Sequence, residues 1–150
     1  MSGLLAPGRY GFDEVSTGAV VETGRRIVSA ADIDSFADLS GDRFEIHMND
    51  EAARSHGFPR RVAHGLLVLS LVDGLKNNAP AQFRAIASLG WEWSFRRPVF
   101  AGDEIRVTIT VESKRGVSKP DRGILGLVFE VTNQTGETVQ EGKNLLLAYR

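Results

Sequence analysis

One stretch narrows the choice of folds more than any other. In residues 62–76, Leu66, Leu67, Val68, Leu69, Leu71, Val72 and Leu75 cover most of the circumference of a helix. A helix that is apolar nearly all round belongs inside a core. The run is far short of the about 20 apolar residues that cross a bilayer. The spacing therefore predicts a buried core helix ending near Asn77-Asn78, with Pro80 beyond it. After Pro80 the period changes from 3.6 to 2. Leu89, Trp91, Trp93 and Phe95 alternate with small or polar residues, as do Ile105, Val107, Ile109 and Val111, and then Leu125, Leu127, Phe129 and Val131. A fourth strand is expected over Thr138–Tyr149. The turn at Ala101-Gly102-Asp103 and the hairpin at residues 133–136 are short, so these strands run antiparallel. A curved antiparallel sheet is the only other element long enough to enclose the helix. The expected class is α+β, a sheet wrapped around one central helix. Its open edges call for pairing, which favours a two-fold dimer.

The first half of the chain is less regular. Residues 7–14 read as loop and residues 24–29 as a short strand. Ser29 can cap a helix whose third residue is Asp32 and whose apolar pattern (Ile33, Phe36, Ala37, Leu39) stops at Gly41. Residues 42–61 form a long polar connection, with one helical turn expected around residues 51–55 and Asn49 or Asp50 as its cap. A loop of that length inside a domain is frequently functional.

Composition removes several classes of function. A length of 150 residues suits one domain spanning residues 1–150. The 18 Lys+Arg and 19 Asp+Glu leave a net charge of −1, so no global field draws in nucleic acid, and no run of like charge suggests a membrane surface. With no Cys, disulfides, thiol nucleophiles, Cys–zinc sites and iron–sulfur clusters are excluded. The start shows no charged segment leading into a long apolar one, so the expected compartment is the cytoplasm.

Chemistry then rests on few residues. His47 and His56 lie in the long loop, and His64 opens the core helix. Asp42 stands five residues before His47. An acid and an imidazole on one loop can converge on one water or substrate proton, the geometry that general acid–base catalysis needs. On spacing alone a turn-capping Asp42 and a surface His47 explain the pair as well. Gly65 at the helix start lets a ligand approach N–H groups that stabilise developing negative charge; close packing against the sheet is the alternative reason for a glycine there. His64 is either part of that site or a buried ring bonded to backbone. A zinc site from His47, His56, His64, Asp42 and Asp50 fits no standard spacing, and no nucleophile elbow or phosphate loop occurs. Trp91 and Trp93, at strand spacing, read as core rather than as a stacking platform.

Two segments together, Asp42-Arg43-Phe44-Glu45-Ile46-His47 and Val62-Ala63-His64-Gly65-Leu66, resemble the MaoC-like hydratase/dehydratase family. The resemblance runs from about Phe12 to Tyr149 and takes in Arg96-Arg97-Pro98 and the following Gly102-Asp103. It implies the hot-dog fold, the same wrapped-helix layout. It also implies reversible addition of water to a trans-2-enoyl-CoA, usually giving the (3R)-hydroxyacyl product. Asp42 and His47 would hold the catalytic water, and the Gly65 N–H would bind the thioester oxygen. Ser40, Phe44 and His64 are supporting candidates. The implied partner is an acyl-CoA thioester, with no cofactor, no metal, no nucleic acid and no membrane, in a homodimer or a dimer of dimers. Two other functions suit the same fold: an acyl-CoA thioesterase, and a non-catalytic subunit that binds an acyl thioester. One departure stands out. The family's commonest motif has Asn-Pro where this chain has Phe44-Glu45. A subgroup, which includes the hydratase domain fused to an aldehyde dehydrogenase in phenylacetate breakdown, carries Phe at the position of Phe44.

Overall fold

A computed structural model describes residues 3–150. In chain order the elements are β1 (Gly3–Leu4), β2 (Gly8–Tyr10), a 3-10 turn (Phe12–Glu14), β3 (Ala19–Glu22), β4 (Arg26–Ile27), α1 (Ala30–Ser40), α2 (Glu45–Met48), α3 (Asp50–Ser55) and α4 (Gly65–Asn77). They are followed by β5 (Ala81–Phe83), β6 (Ala85–Phe95), β7 (Glu104–Gly116), β8 (Arg122–Thr132) and β9 (Thr138–Tyr149). The main sheet has the order β1-β3-β7-β8-β9-β6, with β4 also on β7.

The alternating segments form the long antiparallel strands as their period requires. Leu125, Leu127, Phe129 and Val131 of β8 are fully buried, as are Ile105 and Ile109 of β7, and they share one core with Val68 and Val72 of α4. This is the α+β, hot-dog arrangement of a sheet curved against one long helix. The antiparallel expectation fails only at short strands: β1 pairs with β3, and β2 with β5, in parallel. These pairs are not joined by hairpins, so turn geometry does not dictate their direction. Residues 7–14, expected as loop, supply β2 and the 3-10 turn.

The central helix corrects the sequence reading twice. It begins at Gly65 rather than Val62, because residues 62–63 are extended: Val62 bridges Phe100, and the Ala63 N–H donates to the Val99 carbonyl at 2.7 Å. Nor is it enclosed all round. Leu67, Val68 and Val72 are buried, but Leu66 is 61% exposed, and Ser70 and Gly74 on the same side are exposed too. An open sheet covers one face of a helix and leaves the other uncovered in the single chain. Leu89 and Phe95 of the terminal strand β6 are likewise about half exposed, while Trp91 and Trp93 pack on Phe129. The register of β6 on β9 shifts between Ser88 and Gly90, which breaks the regular alternation at Leu89.

Helix α1 follows its capping signals. The Ser29 hydroxyl accepts the Asp32 N–H and the Asp32 carboxylate accepts the Ser29 N–H, each at 3.0 Å. The helix ends at Gly41, whose φ of 79° is left-handed and whose N–H donates to Ala37. The chain is thereby turned sharply just before Asp42. Among the described residues, no helix is long and apolar enough to cross a membrane.

Candidate active site

The polar connection is more structured than its composition suggests. The expected turn over residues 51–55 is α3, and Asn49 caps it by accepting the Ala52 N–H at 3.0 Å. A second short helix, α2, precedes it and carries His47. Between α1 and α2 the chain is held by side chain–backbone bonds that stabilise tight turns. The Ser40 hydroxyl donates to the Phe36 carbonyl at 2.7 Å and accepts the Asp42 N–H at 3.1 Å. The Asp42 carboxylate accepts the Phe44 N–H at 3.2 Å. Ser40 therefore shapes the loop under Asp42.

His47 is 8% exposed, which rules out the surface reading. Its Nδ1 lies 2.6 Å from the Val62 carbonyl. A carbonyl only accepts, so Nδ1 carries the proton and Nε2 presents a lone pair when the ring is neutral. Burial lowers the His47 pKa from 6.5; the nearby His64 and Arg61 push the same way, against the Val62 carbonyl and Asp42. His47 is thus kept as a neutral base.

His64 links the parts. It is 2% exposed, its ring stacks on His47 with centroids 3.9 Å apart, and the tilted Phe36 ring lies 4.9 Å from it. Its Nε2–H donates to the backbone carbonyl of Asp42 at 2.8 Å, while Nδ1 is buried with no hydrogen-bond partner among the described residues. The carboxylate of Asp42 and one ring nitrogen each of His47 and His64 lie within 4.8 Å of one another. Such a trio can hold a cation or a small hydrogen-bonded molecule. The two rings are stacked with their planes 27° apart, and the nitrogens not engaged with backbone are His47 Nε2 and His64 Nδ1.

The residue after His64 is Gly65, the first of α4. The leading N–H groups of a helix have no intrahelical acceptor, and the helix dipole favours negative charge there. A side chain at Gly65 would put its Cβ 2.5 Å from the Phe95 ring, so both reasons for glycine, packing and access, are compatible. Phe44 caps α2 with its ring edge-on to His47 and His56, at 6.1 and 5.9 Å. It is 53% exposed and forms an aromatic wall beside the pair. His56 is not part of the cluster: its Nε2 meets the Glu45 carboxylate at 2.6 Å, so Glu45 clamps α2 to α3.

Arg61 escaped the sequence reading. Its guanidinium donates to the His47 carbonyl at 2.7 Å and pairs with Asp34 of α1, while its backbone N–H reaches Asp50 at 2.8 Å. It joins all three short helices. An arginine in a polar loop has no periodic signature to reveal this.

Against known proteins, the MaoC-like domain model matches residues 13–132. The chain belongs to the MaoC-like family. It is 40% identical over 111 residues to "Protein MaoC" of Klebsiella aerogenes, a match that covers 73% of this chain but 33% of that protein. It is 32% identical over 114 residues to an (R)-specific enoyl-CoA hydratase of Aeromonas caviae, covering 76% of this chain and 81% of the relative. Among solved structures, the MaoC-like dehydratase from Rhodospirillum rubrum superimposes with a TM-score of 0.86 at 28% identity, covering 94% of this chain and 97% of that one. The chain thus spans about a third of the Klebsiella protein and most of the Aeromonas enzyme.

Proposed function

We propose that this chain is a hydro-lyase that adds water reversibly to the double bond of a trans-2-enoyl-CoA. The observation that carries the reading is the buried, neutral His47 beside the Asp42 carboxylate, next to the start of α4 at Gly65. The relative named an (R)-specific enoyl-CoA hydratase supports the substrate class and points to the (3R)-hydroxyacyl product.

Two acceptors facing one water take its two O–H bonds and leave an oxygen lone pair aimed away from them. Asp42 takes one proton as the oxygen attacks Cβ, and His47 Nε2 holds the other. Electron density moves through Cα to the thioester oxygen, where the Gly65 N–H stabilises it. Asp42 returns the proton it took to Cα, which completes the addition: hydroxyl is gained at Cβ and hydrogen at Cα. In the reverse direction Asp42 and His47 release the 3-hydroxyl as water. The thioester is itself the electron sink, and the reaction as proposed uses no cofactor and no metal. Ser40 and His64 hold Asp42 from its backbone, and Phe44 walls the acyl side of the pair. Two copies complete the reading: β6 ends the sheet, and Leu89, Phe95 and Leu66 are exposed in the single chain.

Incubation of the purified protein with crotonyl-CoA tests it. Loss of enoyl absorbance without thiol release is the expected result. Thiol release identifies a thioesterase, and saturable binding without turnover across short, branched and aromatic enoyl-CoAs identifies a binding subunit; either overturns the proposal.

A further inference from the structure

The mechanism above leaves unused a buried polar chain that ends on the residue after His64. Gln140 of β9 is 2% exposed on the sheet face that meets α4. Its side-chain oxygen accepts the Trp93 indole N–H at 2.8 Å, and its amide nitrogen donates to the backbone carbonyl of Gly65 at 3.2 Å. A buried amide is costly unless both ends are bonded, and a hydrophobic residue would fill the space without that demand. The amide points at the one position of the helix start that is otherwise least constrained, since glycine has the widest choice of φ and ψ. The Gly65 carbonyl and the Leu66 N–H belong to one planar peptide. Fixing the carbonyl from the sheet therefore fixes the direction of that N–H at the helix N-terminus. On the other side the Phe95 ring lies against the Gly65 Cα, close enough to exclude a Cβ. Trp93, packed on Trp91 and Phe129 at 5.5 and 5.7 Å, anchors the chain in the core.

We infer that Gln140, backed by Trp93, is a positioning residue that fixes the Gly65–Leu66 peptide at the start of α4 and so holds the adjoining Gly65 N–H toward the thioester oxygen. The inference rests on the hydratase reading, and its test separates the two. Gln140→Met keeps length and volume but breaks both hydrogen bonds; Trp93→Phe breaks only the outer one and serves if the first variant does not fold. For Gln140→Met, kcat for crotonyl-CoA hydration falls about tenfold, less than the 10²–10³ lost with a whole oxyanion donor. KM changes less than twofold, because the lost interaction matters in the transition state. Trp93→Phe moves kcat in the same direction by a smaller factor. In ¹H–¹⁵N spectra of the free protein, the Gly65 and Leu66 amide signals shift in both variants. Unmoved amide signals, or moved signals with unchanged kcat, overturn the inference. A wild type without turnover sinks the hydratase reading alone, and the amide shifts then decide whether Gln140 sets this peptide.

Discussion

The β7–β8–β9 sheet and the segment from Ser40 to Gly65 are built on opposite principles. In the sheet, each buried residue is one of many equivalent ones: Ile105, Ile109, Leu125, Leu127, Phe129 and Val131 repeat one environment along a shared face. In the segment nothing repeats. Ser40, Asp42, His47, Arg61 and His64 each hold a different partner by one or two bonds. The sheet spreads its stability over many contacts, so a change at one of these apolar positions costs free energy without moving the site; the polar Gln140 of β9 is the exception. The segment holds the proposed site by single contacts, so on that proposal a change there costs rate while the core persists.

The comparison breaks most visibly at the pair. Asp42→Asn and His47→Ala are each expected to lower kcat for enoyl-CoA hydration by about 10²–10⁴, the usual worth of a positioned acid or base. Thermal melting stays within a few degrees of wild type, since Asp42 is exposed and His47 lies at the edge of the core. Large destabilisation with normal turnover would reverse the assignment of the two regions. The opposite result is expected in the sheet. Leu127, fully buried in β8, should cost about 2–5 kcal/mol on truncation to Ala. Chemical denaturation measures that loss, and the folded fraction should keep its kcat within a few-fold.

A smaller effect sharpens the contrast through pH. The folded His47 binds its proton less readily than the unfolded one, whose pKa is near 6.5. As pH falls through 6.5 the unfolded state gains protons first, so stability declines; above 6.5 both states are neutral and the term vanishes. Denaturation at stepped pH should show this slope in wild type, reduced in His47→Ala. An unchanged slope would place the sensitivity elsewhere.

The same division explains what the sequence made legible. The strands β7, β8 and β9 follow from a period of 2, and α1 from Ser29, Asp32 and Gly41, because each rests on local pattern and local bonds. The Asp42–His47–Gly65 constellation was visible only through its resemblance to a family, since the five-residue spacing also suits a turn. What the sequence concealed was long-range and unrepeated. The Val62 carbonyl that fixes His47, Arg61 bridging to Asp34, and Gln140 reaching Gly65 across 75 positions leave no periodic trace. The helix was misjudged for a related reason: its leucines signal an apolar helix, and not that the sheet covers every face of it, since Leu66 is left exposed.

In the proposed reaction, carboxylate 42 and imidazole 47 act on one water as a unit. A double-mutant cycle on kcat with crotonyl-CoA, using Asp42→Asn, His47→Ala and the double variant, tests it most directly. If the two act together, the double variant is hardly slower than the slower single one. Losses that multiply would show two independent contributions and contradict the account.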